Sequence, residues 1–464
     1  MKNKLGFWSI VLLTINSIIG SGIFLSPGSV VSTSGTSAPI VYLTAAIFAS
    51  ILAIVFAAAA KYVSSGGAAY AYAKAAFGNN VGFYIGITRF IASCIAWGVM
   101  ATAVIKTVIS IFKGNNNDFW LITAGFIFLM TILLIVNLFG PHLFEIINNL
   151  STIGKLLALL TTIIVGVFIV LKTGVNHFSE VNLLKNANGQ QLVPQMTTSN
   201  FVMSTIAAFY AFTGFESVAS GSEDMENPEK NLPKAIPLAI IIIAIIYIGV
   251  VVVSMMINPR ALVQTKEVVA LVAIFKNPII KNIILYGALI SMLGINVAAS
   301  FHTPRILESI AHEKQIPDWF AKRTRKEFPF RAFIVTFLIA IILPMAFGYN
   351  MTNIIILSSI SRFIQFLIVP FCVIVFYYGK NRETIITNAP KNIGTDVFVP
   401  IIGFILTVLL LFKFDWVGQF TIKQPNGTLT PNMFAIIALI IGYLILPLIL
   451  FLIQKRKISK EKNK

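Results

Sequence analysis

The chain has 464 residues, 57% of them hydrophobic and only 11% charged, with a mean hydropathy of +0.87. A soluble chain carries about one quarter charged residues, so this composition excludes an ordinary soluble enzyme or binding domain and indicates an all-α polytopic membrane protein. The formal charge of +18 would suit nucleic acid, but the lysines and arginines lie between apolar runs, as in the positive-inside rule, and the expected surroundings are a lipid bilayer with no nucleic-acid partner.

The amino terminus, MKNKLGFW, starts like a signal peptide. Its apolar stretch, however, runs from Leu5 to about Val31 without a small-residue cleavage site, and it reads as a retained first span. Runs long enough to cross a bilayer lie at about 7–33, 38–62, 81–112, 119–139, 145–172 and 201–222. Six more follow at about 235–257, 281–311, 331–348, 351–379, 396–414 and 432–454, giving about twelve transmembrane helices. The even number puts both termini on one side. Loops on that side carry Lys61, Lys74, Lys230, Lys234, Lys314, Lys322, Arg323, Arg325, Lys326, Arg331, Lys380, Arg382 and Lys391, followed by the basic tail 455–464. The opposite side carries Arg260, Lys266, Lys276 and Lys281. The bias predicts both termini in the cytoplasm, with the chain multi-pass in the plasma membrane. Cys94 and Cys372 fall within apolar runs and read as buried thiols.

Two spans are interrupted. Span one contains IIGSGIFLSPG at Ile18–Gly28, with Gly20, Ser21 and Gly22 at its centre. Span six contains FYAFTGFES at Phe209–Ser217, where Thr213 and Gly214 are weak helix formers and Glu216 is an acid at a depth where acids are costly. Interrupted segments at matching places in two halves point to the binding site of an inverted-repeat transporter. The expected organisation is therefore a 5+5 inverted repeat (1–172 and 201–379), two trailing helices (396–454) and the tail.

A broken helix exposes the means to hold a zwitterion. The amides of Ser21, Gly22 and Ile23 open the second half of span one and carry partial positive charge, and glycine lets a ligand approach the backbone. The carbonyls of Ile18 and Ile19 close the first half with partial negative charge, and span six repeats the arrangement with carbonyls near Phe209–Phe212 and amides after Gly214. A carboxylate would sit on the amides and an ammonium on the carbonyls. A lone GSG is more often a close helix-packing face, because small residues let backbones approach. The pairing of the two breaks, with Glu216 in one, favours the binding reading.

GSGIF and FTGFES…ENPEKNLPKAI, together with SSGGAAYAYAKAAFG at Ser64–Gly78 and TPRILESIAHEKQIP at Thr303–Pro317, resemble the amino acid–polyamine–organocation superfamily of transporters. The resemblance covers much of the first ten spans in the family's order. It implies alternating access and substrates that are amino acids or their amines. It further implies that Ile18, Ser21, Gly22 and Ile23 meet the substrate head group, that Tyr210 is an aromatic gate, and that Glu216 is a polar gating residue beyond it. Lys155, a lone cation in span five, matches family members whose lysine stands where related transporters bind sodium. That implies proton coupling instead of sodium coupling, since an amine can release its proton.

Trp97, Phe209, Tyr210, Phe212, Thr213 and Asn296 complete the candidate substrate pocket, although aromatic residues in membrane helices are more often packing. Arg89, Lys106 and Arg362 lie within spans without an assigned role; His302 reads as a satisfied histidine at a helix interface. With few midspan acids apart from Glu216, a neutral or aromatic amino acid fits better than a dicationic polyamine. The expected activity is proton-coupled uptake, with exchange of amino acids or of an amino acid for an amine as the alternative. A membrane-embedded transferase would need an acid–base constellation, and His142, His177, His302 and His312 are scattered. No phosphate-binding GxxxxGK[ST] stretch occurs, which disfavours an ATP-driven pump, and no metal or cofactor is called for.

Overall fold

A computed structural model describes residues 6–63, 68–112, 114–139, 141–219, 225–264, 269–324, 328–386, 388–423 and 428–462. The start of the loop at Ser64–Gly78, along with Arg325, Lys326 and Lys266, lies outside these residues. Among the described residues the chain is predominantly helical, with one small hairpin, Thr421–Lys423 paired to Leu429–Pro431. Among the described residues nine helical stretches are long and apolar enough to cross a membrane, accompanied by two shorter apolar helices, Phe7–Ile18 and Phe330–Ala346. One of the nine, Gly22–Tyr62, joins the second half of span one to span two through a turn at Gly35–Ser37, and both halves of span six are too short to qualify. Together these account for the expected segments.

Span one is two helices, Phe7–Ile18 and Gly22–Ser34, and span six is Thr198–Phe209 continuing through a tight turn at Tyr210–Phe212 to Phe215–Ala219. Span two is Ala38–Tyr62, span three Asn79–Ile111, span four Phe119–Phe139 and span five Pro141–Thr173. Span seven is Pro228–Ile257, seven residues longer at its start than the hydropathy suggests, because Pro228 occupies its first position, where the missing amide hydrogen costs nothing. Span eight is Pro278–His312, span nine Phe330–Ala346, span eleven Gly394–Lys413 and span twelve begins at Met433. Side-chain caps start several of these helices: Thr197, Asn277, Asn350 and Asn432 each accept a backbone N–H of the first turn, satisfying donors that lipid could not.

Span ten departs from its expected continuity. It consists of Met351–Ile360 and Phe363–Tyr377, joined through Ser361 and Arg362, with no glycine or proline at the joint. The Tyr443 hydroxyl from span twelve lies 3.3 Å from the Ser361 carbonyl, to which it donates, while the Gln365 amide turns to the Arg362 carbonyl at 3.1 Å. A side chain inserted into the ladder interrupts a helix in this way.

The spans pack in exchanged pairs. The first half of span one lies on span seven and span six lies on span two; span five runs along span eight and span ten against span three. Spans eight and four touch, as do spans three and nine. Moving five spans along the chain carries each of these contacts into its counterpart. Lipid is as apolar as leucine, so close approach, more than hydrophobicity, holds these helices together. Between spans five and eight, a Cβ on Gly287 would lie 2.7 Å from the Gly154 carbonyl, and glycine alone permits that contact. Span two is fastened to span eleven by a buried ion pair, in which Lys61 Nζ meets both Asp396 oxygens at 2.6 and 2.7 Å, joined by the Tyr62 hydroxyl at 2.7 Å. Lys61, expected as a loop cation, is thus buried.

Candidate functional site

The two interruptions face each other. Ser17 Oγ donates to the Gly214 carbonyl at 3.1 Å, and Ser21 Oγ and the Tyr210 hydroxyl share a hydrogen bond of 3.2 Å. Gly22 packs directly on span six, where a Cβ would stand 2.5 Å from Ala211 Cα. Gly214 sits at φ +122° with the Ser17 carbonyl against it, so both its conformation and its surroundings require glycine. In this conformation the close approach expected at Gly22 for a ligand is used by the protein's own backbone. The sequence cannot reveal this, because the partner is 189 residues away.

In span one the last amide bond of the first half runs from Ile19 to Ile15, and the first of the second half run from Phe24 and Leu25 to the Ser21 carbonyl. The amides of Gly22 and Ile23 therefore head the second half, where a helix offers no internal acceptor. Ile18, Ile19, Ser21 and Ile23 are all buried. In span six the Tyr210 carbonyl accepts Thr213 Oγ1 at 2.8 Å, and the Ala211 carbonyl accepts the Tyr247 hydroxyl at 3.1 Å.

Lys155 reaches the first break from span five. Its Nζ donates to the Ile19 carbonyl at 2.7 Å, the Asn16 carbonyl at 3.0 Å and Asn16 Oδ1 at 2.6 Å. The Thr152 hydroxyl also donates to Asn16 Oδ1 at 2.7 Å, which fixes that carboxamide. Of the two carbonyls proposed for a ligand ammonium, Ile19's is thus engaged by Lys155. A cleft of about 430 Å³, lined by residues including Leu12, Asn16, Thr152 and Leu156, opens between span five and the first half of span one and includes Lys155. Asn16 and Thr152 escaped the sequence reading; the only available signal was that each is polar, four and three residues before Gly20 and Lys155 respectively.

The second break has its own cation. Glu216 pairs with the Arg362 guanidinium from the joint in span ten, and its other oxygen accepts the Gly214 amide at 2.9 Å. Arg89 of span three interacts electrostatically with both Glu216 and Arg362.

The aromatic candidates separate. Phe209 is enclosed by Phe48, Phe363 and Phe366, at centroid distances of 4.9, 6.2 and 5.7 Å. Phe212 turns to Tyr247 of span seven at 5.1 Å, and Trp97 to Phe333 of span nine at 5.7 Å. Asn296 is fully buried, its amide donating within span eight to the Met292 carbonyl at 2.8 Å, one residue from Ile295, whose side chain lies against Gly20. Lys106 is buried and reaches Asn117 Oδ1 at 3.4 Å. His302, expected at a helix interface, lies on the exposed face of span eight with its ring 5.2 Å from Phe301.

Comparison with known proteins agrees with this architecture. The amino acid permease family profile matches residues 5–446. The chain is 36% identical to a Mycobacterium tuberculosis protein described as an uncharacterised transporter, over 99% of this chain and 96% of that one. It is 25% identical to a serine/threonine exchanger of Bacillus subtilis, over 99% and 98% of the two chains. It is also 25% identical to a branched-chain amino acid permease of the same organism, over 90% and 89%.

Proposed function

The chain belongs to the amino acid permease family, a multi-pass membrane transporter of amino acids, and from that premise we propose that it moves an amino acid with an uncharged side chain across the plasma membrane by proton-coupled alternating access. Both termini are cytoplasmic, and residues 1–172 and 201–379 are the two inverted repeats, a reading supported by the exchanged packing of spans.

The observation that carries the reading is the meeting of two broken helices at Ser21–Tyr210, each break with a cation on it. The substrate carboxylate binds at the amides of Ser21, Gly22 and Ile23, and its ammonium at the Ile18 carbonyl and those of span six. Because Gly22 is covered by Ala211 here, binding requires span one to move against span six. Lys155 supplies the coupling. Protonated, it holds the carbonyls of Asn16 and Ile19 together; neutral, it has fewer donors to offer them, so the conformational equilibrium and the proton are linked.

The likeness to a serine/threonine exchanger supports a second reading, one-for-one exchange. Uptake into proteoliposomes of the twenty amino acids and common amines separates them. Symport predicts accumulation driven by an inward proton gradient into empty vesicles. Exchange predicts uptake only with substrate inside, and no amino acid uptake under either condition refutes both.

A further inference from the structure

Among the described side chains, three carboxylates lie within the spans, and each faces a basic partner: Glu308 with Arg323, Asp396 with Lys61, and Glu216 with Arg362. Glu216 alone of the three stands at a break. It is two residues from Gly214, whose amide it accepts, while Arg362 also acts electrostatically on Tyr210, the residue hydrogen-bonded to Ser21 across the two breaks. The acid nearest the substrate region is therefore spoken for. Arg362 pairs with it from one side, Arg89 of span three adds a second guanidinium, and Lys155 stands at the other break. Three cations and one carboxylate surround the meeting point of spans one and six.

Charge at this depth is weakly screened, so a second positive charge on a substrate would enter a field that already opposes it. Its natural counter-ion, Glu216, could serve it only by leaving Arg362. We propose that Arg362 determines substrate charge: by occupying Glu216 it excludes amino acids with cationic side chains and diamines, and it leaves the site to substrates whose only positive charge is the α-ammonium. The inference rests on the amino acid transport reading and names the residue that sets its specificity. It also gives Arg362 a reason to sit at a joint: the bend held by Tyr443 sets the Arg362 backbone between the two halves of span ten, from which its side chain reaches span six.

Competition against uptake of a transported neutral amino acid tests this. In the wild type, lysine and putrescine should compete at least a hundredfold more weakly than norleucine, which has lysine's four-carbon side chain without the ammonium. Arg362→Gln, which frees Glu216, should improve lysine competition at least tenfold, and Arg362→Lys, which keeps the charge, should not. Arg362→Gln combined with Glu216→Gln should lose the gain, because the liberated carboxylate is its source. Wild-type competition by lysine within tenfold of norleucine overturns the proposal and needs no variant. A folded Arg362→Gln protein with unchanged discrimination also overturns it, as does a gain that survives loss of Glu216. Absence of uptake for every amino acid would instead refute the transport reading, and this inference with it.

Discussion

Replacing Lys155 with alanine removes three hydrogen-bond donations at once, to the Ile19 carbonyl, the Asn16 carbonyl and Asn16 Oδ1. Thr152 still serves Asn16 Oδ1 at 2.7 Å, so the loss falls on the two backbone carbonyls. Hydrogen bonds to a charged donor are worth roughly 1.5–3 kcal/mol each, so two at the lower bound give about 3 kcal/mol, a shift on the order of 10²-fold in the equilibrium between arrangements that hold and release these carbonyls. Lys155→Ala should therefore lose proton-driven accumulation in proteoliposomes while keeping part of its downhill exchange. Lys155→Arg should not restore accumulation, because a guanidinium stays protonated throughout the accessible range. Thermal unfolding in detergent, followed by size exclusion, separates loss of coupling from loss of fold. Wild-type proton-driven accumulation by Lys155→Arg would refute the reasoning and make Lys155 a structural cation.

Two further outcomes follow from packing. Gly22→Ala places a Cβ 2.5 Å from Ala211 Cα, an overpacking that typically costs about 1–3 kcal/mol, whereas Gly20→Ala meets only the end of Ile295 at 3.3 Å. The first should lower both melting temperature and uptake, the second neither; equal behaviour of the two would show that spans one and six are not in contact at Gly22. Asp396→Asn leaves the Lys61 ammonium buried without its counter-charge and should destabilise the protein by about 3–5 kcal/mol, while the apolar double variant Lys61→Met with Asp396→Leu should recover most of that loss. A double variant no more stable than Asp396→Asn, measured by thermal unfolding, would disprove the pairing.

What was legible in the sequence was whatever is encoded locally. The apolar runs gave the span positions, and Gly20, Gly22 and Gly214 marked the breaks because a glycine within a span is a local conflict with helix formation. Lys155 stood out as a lone charge in a long apolar run. What was not legible depends on partners distant in the chain. Lys61 reads as a positive-inside loop residue until Asp396, 335 residues later, is seen against it. Arg362 had no assignable role because its partner Glu216 lies 146 residues away. The interruption of span ten is invisible for the same reason: residues 360–362 contain no helix breaker, and the Ser361 carbonyl at the joint is met by a tyrosine from span twelve.

The two breaks are clasped alike but not equally. Each is held by one cation from a long span that packs outside the one–six pair, Lys155 from span five and Arg362 from span ten. The acceptors differ: neutral carbonyls and a carboxamide for the lysine, a carboxylate for the arginine. A lysine on neutral acceptors gains no ion-pair energy to hold its proton, whereas an arginine on a carboxylate keeps its own and is held by charge as well. Opening the span-five clasp can therefore be a deprotonation event, and opening the span-ten clasp must be a separation of charges. Under the proposed proton coupling, this difference in chemistry gives the proton a side to act on. On that proposal, release at span one should respond to the proton, while the Arg362–Glu216 pair resists movement of span six until substrate contacts compensate for its separation.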